Sequence, residues 1–403
     1  MNLAVATGSI ISKLSQMKNK LSIVLVGFLL WVVALATIAW LWNHWMLNGP
    51  YGPYRWVGMD FAPFWVGVRE MLHGADPYSQ DTLLKIQRVV YGGPALGNDP
   101  MMFVYPAWMF IVIAPFSLMP FQYAVILFSG TLLWGMLGVL YLISSNLSGR
   151  RFFQHTFWMV WLTLGSLPFL IISITKGQLG YLSLIALFVS RRAWARRPYI
   201  AGIVLGLALI KPTVTVIPVA GYLLWALLEK DWKFLAGFSG CVLVLLVTSL
   251  FASGNWIPGY LSMLTSKGGM PVIWSVDILP NPWKLLYITF YITLGVYTLF
   301  VSKRKNQRDL WLPITFLIGI ALFPMRWIYD LYLGILIPSE ESNLTKIQSV
   351  VVAVAAISPW VLVFVTESAR WNVAVIGLPV IWTVCALFLF LPRFILLHWQ
   401  NDG

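Results

Sequence analysis

Charged residues are scarce in this sequence: only 10% of the 403 residues are Asp, Glu, Lys or Arg, whereas a soluble domain carries about 25%. Hydrophobic residues make up 59% of the chain, and the mean hydropathy is +0.80. This composition excludes a water-soluble fold. Several apolar stretches approach the ~20 residues that a helix needs to cross hydrocarbon: 21–42, 122–143, 350–365 and 373–391. Because a bilayer accepts only helices or closed barrels, these lengths predict an all-α polytopic membrane protein.

Cysteine and the common nucleotide-binding motifs are nearly or wholly missing. The two cysteines, Cys241 and Cys385, lie inside apolar stretches and provide no disulfide framework. The four histidines are scattered, which predicts no metal site. No Gly-rich phosphate loop, dinucleotide fingerprint or Ser/His/Asp signature is present. We therefore expect no metal and no other cofactor, and no direct use of ATP or a nucleotide sugar.

The positive charge of the chain indicates its orientation in the membrane. The net charge is +13, and much of the excess lies in short linkers between apolar stretches, so we attribute it to topology and expect no nucleic-acid partner. The basic linkers predict the cytoplasmic face of a plasma or inner membrane, with both termini cytoplasmic. They lie at 13–20, 191–197, 230–233 and 303–308. Residues 44–100 then form the first non-cytoplasmic loop of a single membrane domain spanning 1–403.

The predicted segments leave one element that does not cross. After the first span they are 101–118, 122–144, 155–175, 178–190, 199–211, 212–228, 235–252, 284–302, 310–324, 329–338, 347–366 and 373–396. Two cytoplasmic termini require an even number of crossings, and this number is odd. Pro168 and the polar residues 175–178 interrupt the run 155–190, so we place the non-crossing element there and expect about 12 transmembrane helices. On this topology Arg150 and Arg151 lie on the wrong face for the charge rule.

The first loop contains an acidic residue at the start of an amphipathic segment. Apolar residues recur at helical spacing over 61–72, which predicts a helix lying in the membrane interface, and 79–90 predicts a second one. Asp60 precedes the first helix and Asp76 fits a turn between them. Two interpretations of Asp60 remain open: a helix cap, or a general base that takes a proton from an attacking hydroxyl.

Other polar residues stand at breaks between apolar runs. Burying Lys211 in a span costs about 2.5–3.5 kcal/mol on insertion scales, so the lysine either extends to the interface or binds an anion such as a phosphate. Gln178 lies either in a simple turn or in a polar site. Arg326, in the sequence Arg-Trp-Ile-Tyr-Asp that ends at Asp330, either pairs locally with that aspartate or contacts a sugar or phosphate.

The order of these features resembles glycosyltransferase family 87, the polyprenyl-phosphate-mannose-dependent membrane mannosyltransferases of the GT-C fold. No single motif is specific, but their order along the chain is characteristic. The motifs are an Asp opening a loop helix that ends in Gly-x-Asp-Pro-Tyr (Asp60 to Tyr78), an aromatic-x-Tyr-Pro sequence (Phe103 to Pro106), Gly177-Gln178, a Gly-x-x-x-Gly helix ending in Lys-Pro (Gly202 to Pro212) and a late Trp-x-Tyr-Asp (Trp327 to Asp330).

The resemblance implies an inverting transfer of a hexose, with mannose as the sugar, from a polyprenyl-phosphate carrier to an acceptor hydroxyl on a glycolipid or glycan at the outer face of the bilayer. It implies that Asp60 is the base and that Lys211 meets the carrier phosphate. Further substrate-binding candidates are Arg326, Gln178, Tyr329, Asp330, Tyr105 and Tyr78. The choice of donor and acceptor stays open, because relatives often have His where this chain has Tyr329-Asp330, and a second Pro where it has Ala107.

Two rival functions use the same features. A transporter or flippase of a lipid-linked sugar also needs a basic, aromatic-lined cavity, although transporters place ionisable groups near the midplane and are built of two related halves. A non-catalytic subunit of an envelope-assembly complex would use the loop 44–100 as a docking surface.

Overall fold

A computed structural model describes residues 22, 24–44, 57–94, 101–148, 152–265, 279–304, 308–322, 334–338, 344–365 and 378–390. Within these ranges the chain forms fifteen α-helices, two short 3-10 turns (Ala107–Met109 and 334–338) and no strand. The helices are α1 Val24–His44, α2 Ala62–Leu72, α3 Gln80–Tyr91, α4 Phe110–Ser117, α5 Phe121–Leu147, α6 Phe152–Lys176, α7 Gly180–Trp194, α8 Pro198–Ala208, α9 Pro212–Leu228, α10 Trp232–Ser253, α11 Ile257–Thr265, α12 Trp283–Arg304, α13 Arg308–Leu322, α14 Lys346–Val365 and α15 Leu378–Phe390.

The helices are those of a polytopic membrane protein, as predicted. Five of them, α1, α5, α6, α10 and α12, are long and apolar enough to cross a bilayer. Large apolar side chains also point outward, for example Phe251, which is 88% exposed; such surfaces are stable only against lipid or another apolar partner. The remaining apolar helices are shorter, and the count of about 12 transmembrane helices stays a prediction.

The predicted interruption at Pro168 is wrong. Helix α6 continues through Pro168 from Phe152 to Lys176. A proline removes one backbone hydrogen bond, and membrane helices tolerate it because neighbouring helices and local adjustments satisfy the freed carbonyl. The predicted interruption at 175–178 is confirmed: the chain breaks at Gly177, whose φ of +75° suits glycine, and α7 begins three residues later.

Contacts between helices show the relative directions of α1, α5 and α6. Helices α1 and α5 are antiparallel, since Trp42 packs on Phe121 and Trp31 donates to Thr131. Helices α5 and α6 are antiparallel as well, with the ring of Tyr141 near the C-terminus of α5 4.8 Å from His155. We call the end of the bundle where α5, α7, α9 and α12 finish the basic end; the basic residues there are Arg191, Arg192, Arg196, Arg197, Lys230, Lys233, Lys303, Arg304 and Arg308.

The described C-terminus of α5 and N-terminus of α6, at Leu147 and Phe152, lie at the same end of the bundle. Arg150 and Arg151 are outside the described ranges, so the expectation for their face stays a prediction.

The segment 107–117 is shorter than a transmembrane span. Its 11 residues extend about 17 Å at ~1.5 Å per residue, roughly half of a ~30 Å hydrocarbon core. Both of its flanks contact the first loop: the Tyr105 carbonyl accepts from the Tyr78 hydroxyl at 2.7 Å, and the Met119 carbonyl accepts from Trp65 Nε1 at 3.0 Å. We call this side of the bundle, opposite the basic end, the aromatic end.

The first loop forms the two predicted amphipathic helices, packed as a hairpin. Helix α2 buries Phe64 and Met71 completely, and the Lys85–Glu70 ion pair at 2.6 Å joins α3 to α2. Asp76 makes the expected turn, since its Oδ1 accepts from the Tyr78 backbone N–H at 2.9 Å. Ser79 caps α3 by accepting from Thr82 N–H at 3.2 Å.

Two glycines let α8 lie directly against α10. A Cβ at Gly202 would be 2.0 Å from the Phe234 carbonyl oxygen, and one at Gly206 would be 2.7 Å from Cys241 Sγ. The Gly-x-x-x-Gly motif thus produces the close helix contact typical of small residues in membranes. This contact fixes the end of α8, immediately before Lys211.

Candidate active site

The backbone around Asp60 is attached to the C-terminus of α6. Gly58 N–H donates to the Thr175 carbonyl at 2.7 Å, and the N–H groups of Asp60 and Phe61 both donate to the Lys176 carbonyl at 3.0 Å. Gly177 makes this approach possible, because a Cβ there would lie 2.7 Å from Phe61 Cβ. The first loop and the break after α6, more than a hundred residues apart, therefore form one unit.

Asp60 is not needed as a helix cap. The N–H groups at the start of α2 already have acceptors: Asp60 and Phe61 bond to Lys176, and Ala62 bonds to the Gly58 carbonyl at 3.0 Å. Pro63, the next residue, has no N–H to donate. The geometry therefore does not support the interpretation of Asp60 as a helix cap.

The side chain of Asp60 belongs instead to a polar chain with Gln178 and Lys211. Gln178 Nε2 donates to Asp60 Oδ2, and Lys211 Nζ donates to Gln178 Oε1 at 3.3 Å. Gln178 is 2% exposed and Lys211 is 3% exposed, while Asp60 is partly exposed. The lysine is therefore buried beside polar partners and does not extend to the interface, and one amide connects a carboxylate to a cation.

Lys211 occupies the turn between α8 and α9, where it is the N-cap residue of α9 and precedes Pro212. The carbonyls of this turn have donors: Trp108 Nε1 donates to Leu209 at 3.0 Å, and Thr215 Oγ1 donates to Ala208 at 2.8 Å. The positive N-terminal end of α9 lies at the same turn as the lysine. Together the two favour an anion.

The depth of this turn follows from helix lengths. The 11 residues of α8 and 17 of α9 place Lys211 about 17–26 Å from the basic end at ~1.5 Å per residue. A ~30 Å hydrocarbon core then puts the lysine in the half nearer the aromatic end, below the membrane surface. A charge at this depth needs a polar or water-filled surrounding.

The predicted tyrosines lie close by but make other contacts. Tyr78 donates its hydroxyl to the Tyr105 carbonyl, and the ring of Tyr105 packs edge to face on Phe64 at 4.5 Å. Burial raises the pKa of Tyr78, so its hydroxyl stays protonated and donating. Both residues thus support the hairpin in this structure. Arg326, Tyr329 and Asp330 lie outside the described residues.

The site brings a carboxylate and a buried cation to the same amide. No group of three potential metal ligands exists among the described His, Cys, Asp and Glu residues. The sequence did not indicate two of the contacts: Gln178 bridging the acid and the lysine, and Trp108 holding the lysine turn. The Gly177-Gln178 motif had marked Gln178 as a candidate, although not its partners. Trp108 is one of many aromatic residues in the chain, and nothing in the sequence distinguished it.

Comparison with known protein families supports the resemblance found in the motifs. Residues 103–285 match the glycosyltransferase family 87 model. The family model that matches is the one that the motif order indicated, and this family indicates a glycosyltransferase. The match covers slightly less than half of the chain; it contains Gln178 and Lys211 and leaves out Asp60. No curated protein and no solved structure matches the chain.

Proposed function

We propose that this glycosyltransferase is a GT-C enzyme that moves a hexose, with mannose as the expected sugar, from a polyprenyl-phosphate carrier to the hydroxyl of a glycolipid or glycan. The reaction takes place at the aromatic end, which we assign to the outer face of the plasma or inner membrane, with the basic end and both termini in the cytoplasm. The observation that carries the proposal is the chain Asp60–Gln178–Lys211, which joins an acid to a buried cation.

Lys211 is the expected contact of the carrier phosphate. A lipid phosphate reaches the site laterally from the leaflet at the aromatic end, and the lysine lies in the half of the membrane nearer that end. The buried cation and the N-terminus of α9 together stabilise the negative charge that grows on the phosphate as it leaves. Arg326, Tyr329 and Asp330 remain proposed substrate contacts.

Asp60 is the proposed general base. Its carboxylate takes the proton from the acceptor hydroxyl while that oxygen forms a bond to the anomeric carbon. The bond from that carbon to the phosphate oxygen breaks on the opposite face, so the configuration inverts and the carrier leaves as a phosphate held by Lys211. Proton, sugar and leaving group are all accounted for without a cofactor.

The test is Asp60→Asn, which keeps the shape of the side chain and an oxygen able to accept from Gln178. We expect transfer from radiolabelled polyprenyl-phosphate-mannose to a lipid extract to fall about 10²- to 10⁴-fold, the usual contribution of a general base, with expression and donor binding unchanged. Asp76→Asn is the matched control, since an Asn at that turn still accepts from Tyr78 N–H.

Transfer by Asp60→Asn at the wild-type rate would contradict the proposed mechanism. Movement of the labelled lipid across vesicles by the wild type without any glycosylated product would instead support a flippase.

A further inference from the structure

Four aromatic side chains pack ring against ring at the aromatic end, and we call them the aromatic wall: Trp108, Tyr260 and Tyr78, which are partly exposed, and the buried Trp256 between them. The ring centroids are 5.6 Å apart between Trp108 and Trp256, 5.9 Å between Trp256 and Tyr260, and 6.0 Å between Tyr260 and Tyr78. The rings come from three separate segments: the turn before α4, the region of α11, and the α2–α3 hairpin. Three segments that are far apart along the chain therefore meet in one aromatic cluster.

The aromatic wall begins beside the lysine turn. Trp108 donates to the Leu209 carbonyl at 3.0 Å, two residues before Lys211. From there the wall extends through the buried Trp256 to the partly exposed Tyr260. At its other side Tyr78 belongs to the hairpin that starts at Asp60. The wall thus extends away from the space between the proposed base and the proposed phosphate contact.

Tyr260 differs from the other members in its polar group. The N–H groups of Trp108 and Trp256 donate to Leu209 and Ser249, and the Tyr78 hydroxyl donates to Tyr105. The Tyr260 hydroxyl makes no hydrogen bond to any residue in the described ranges. Burial raises the pKa of Tyr260 to about 12, so the hydroxyl is protonated at neutral pH. It can both donate to and accept from a ligand.

We propose that the aromatic wall binds a sugar ring of the acceptor, with the Tyr260 hydroxyl hydrogen-bonded to a sugar hydroxyl. This inference rests on the proposed function. Aromatic faces with a few placed polar groups are the usual lining of small-molecule sites. On the proposed mechanism the donor hexose lies between Lys211, which binds its phosphate, and Asp60. The aromatic wall continues from the lysine turn to the partly exposed Tyr260. A longer acceptor glycan would therefore extend along the wall toward Tyr260.

The kinetic test is Tyr260→Phe, which removes one hydroxyl and keeps the ring. We expect the KM for a glycan or glycolipid acceptor to rise about fivefold, the effect of one neutral hydrogen bond, with kcat and the donor KM unchanged. The rise should be equal at pH 6 and pH 9, because Tyr260 is protonated throughout. Tyr199→Phe, at an exposed tyrosine near the basic end, is the control. An unchanged acceptor KM, or a change in donor KM alone, would overturn the proposal.

A binding measurement separates this proposal from the proposed function. Saturation-transfer NMR with mannotriose detects sugar contact without turnover, and we expect weaker signals for Tyr260→Ala than for wild type and Tyr199→Phe. The same experiment on Asp60→Asn should give wild-type signals. Loss of transfer in Asp60→Asn together with unchanged signals in Tyr260→Ala would reject the wall and keep the mechanism. Retained transfer in Asp60→Asn would reject the mechanism, and the NMR comparison would still decide the wall.

Discussion

The acidic residues at the two ends of the bundle have different surroundings. At the basic end, Asp231 caps α10 by accepting from Phe234 N–H at 3.1 Å, and its other oxygen accepts from Trp194 Nε1 at 2.8 Å. At the aromatic end, Asp60 precedes a helix whose first N–H groups already bond to backbone carbonyls. One carboxylate caps the start of a helix, while the other is held by a side chain from a distant segment.

The cations near these acids differ in the same way. The guanidinium of Arg308 lies over the ring of Trp194, 4.7 Å from its centroid, an arrangement that stabilises a helix junction. Lys211 is buried within reach of the amide that also holds Asp60. A buried charge therefore does not identify a site by itself. The distinguishing feature of Lys211 is that its amide partner also binds a carboxylate.

After Asp60→Asn, the largest expected effect in this comparison comes from Lys211→Met. We expect kcat to fall about 10²- to 10³-fold, the usual cost of losing one group that stabilises developing negative charge. Transfer assays with the purified variant measure it. Lys233→Met, an exposed lysine at the basic end, should retain the wild-type rate. A Lys211→Met enzyme within threefold of wild type would remove the lysine from the mechanism.

Gln178→Leu should have the next largest effect. The substitution removes hydrogen bonds to two charged side chains. A bond of this kind is worth about 1.5–3 kcal/mol, and we expect a loss equal to one of them in the transition state, a drop in kcat/KM of about 10- to 100-fold. Gln80→Leu, at an exposed position at the start of α3, is the control for loss of an amide. Equal rates for both variants would mean that the amide only fills space.

Trp108→Phe should have a smaller effect. It keeps an aromatic ring in the wall but removes the N–H that holds the Leu209 carbonyl, worth about 1 kcal/mol. We expect the donor KM to rise about fivefold and the acceptor KM to stay unchanged, because the lysine turn loosens while the ring remains. Trp40→Phe, on the exposed side of α1, should change neither. A rise in acceptor KM alone would show that Trp108 acts through the wall and not through the turn.

Asp231→Ala should leave catalysis unchanged and reduce stability. Loss of the α10 cap and of the bond to Trp194 should lower the free energy of unfolding by about 1–2 kcal/mol, measured by thermal unfolding in detergent. The rate per folded molecule should equal that of the wild type. Asp231→Asn should restore most of the stability, because Asn is also a good cap. A catalytic defect in Asp231→Ala without unfolding would end the contrast between the two acids.

The elements that the sequence predicted well are those with a strong local signal. The helices at 62–72 and 80–91 follow from apolar spacing, which predicted helices at 61–72 and 79–90. Asp60, Gln178 and Lys211 stood out because polar residues between apolar runs are costly to bury. Their proximity to one another could not be predicted, since it depends on backbone contacts between residues far apart along the chain.

The errors arose where a local rule depends on the environment. Proline breaks helices in water, but α6 passes through Pro168 in an apolar bundle. The short segment 107–117 has the hydropathy of a span and only about half the length of one. Its position depends on contacts of Tyr105 and Met119 with the first loop, which periodicity does not report.

The attachment of Gly58, Asp60 and Phe61 to the last carbonyls of α6 has a mechanical consequence. Asp60 and Gln178 are both anchored to one rigid helix end, so thermal motion of the bundle carries them together. Lys211 is anchored separately, through α8 packed on α10. A rearrangement that admits a bulky lipid headgroup would thus separate the amide from the lysine, at the 3.3 Å contact, and leave the acid and amide as an undisturbed pair.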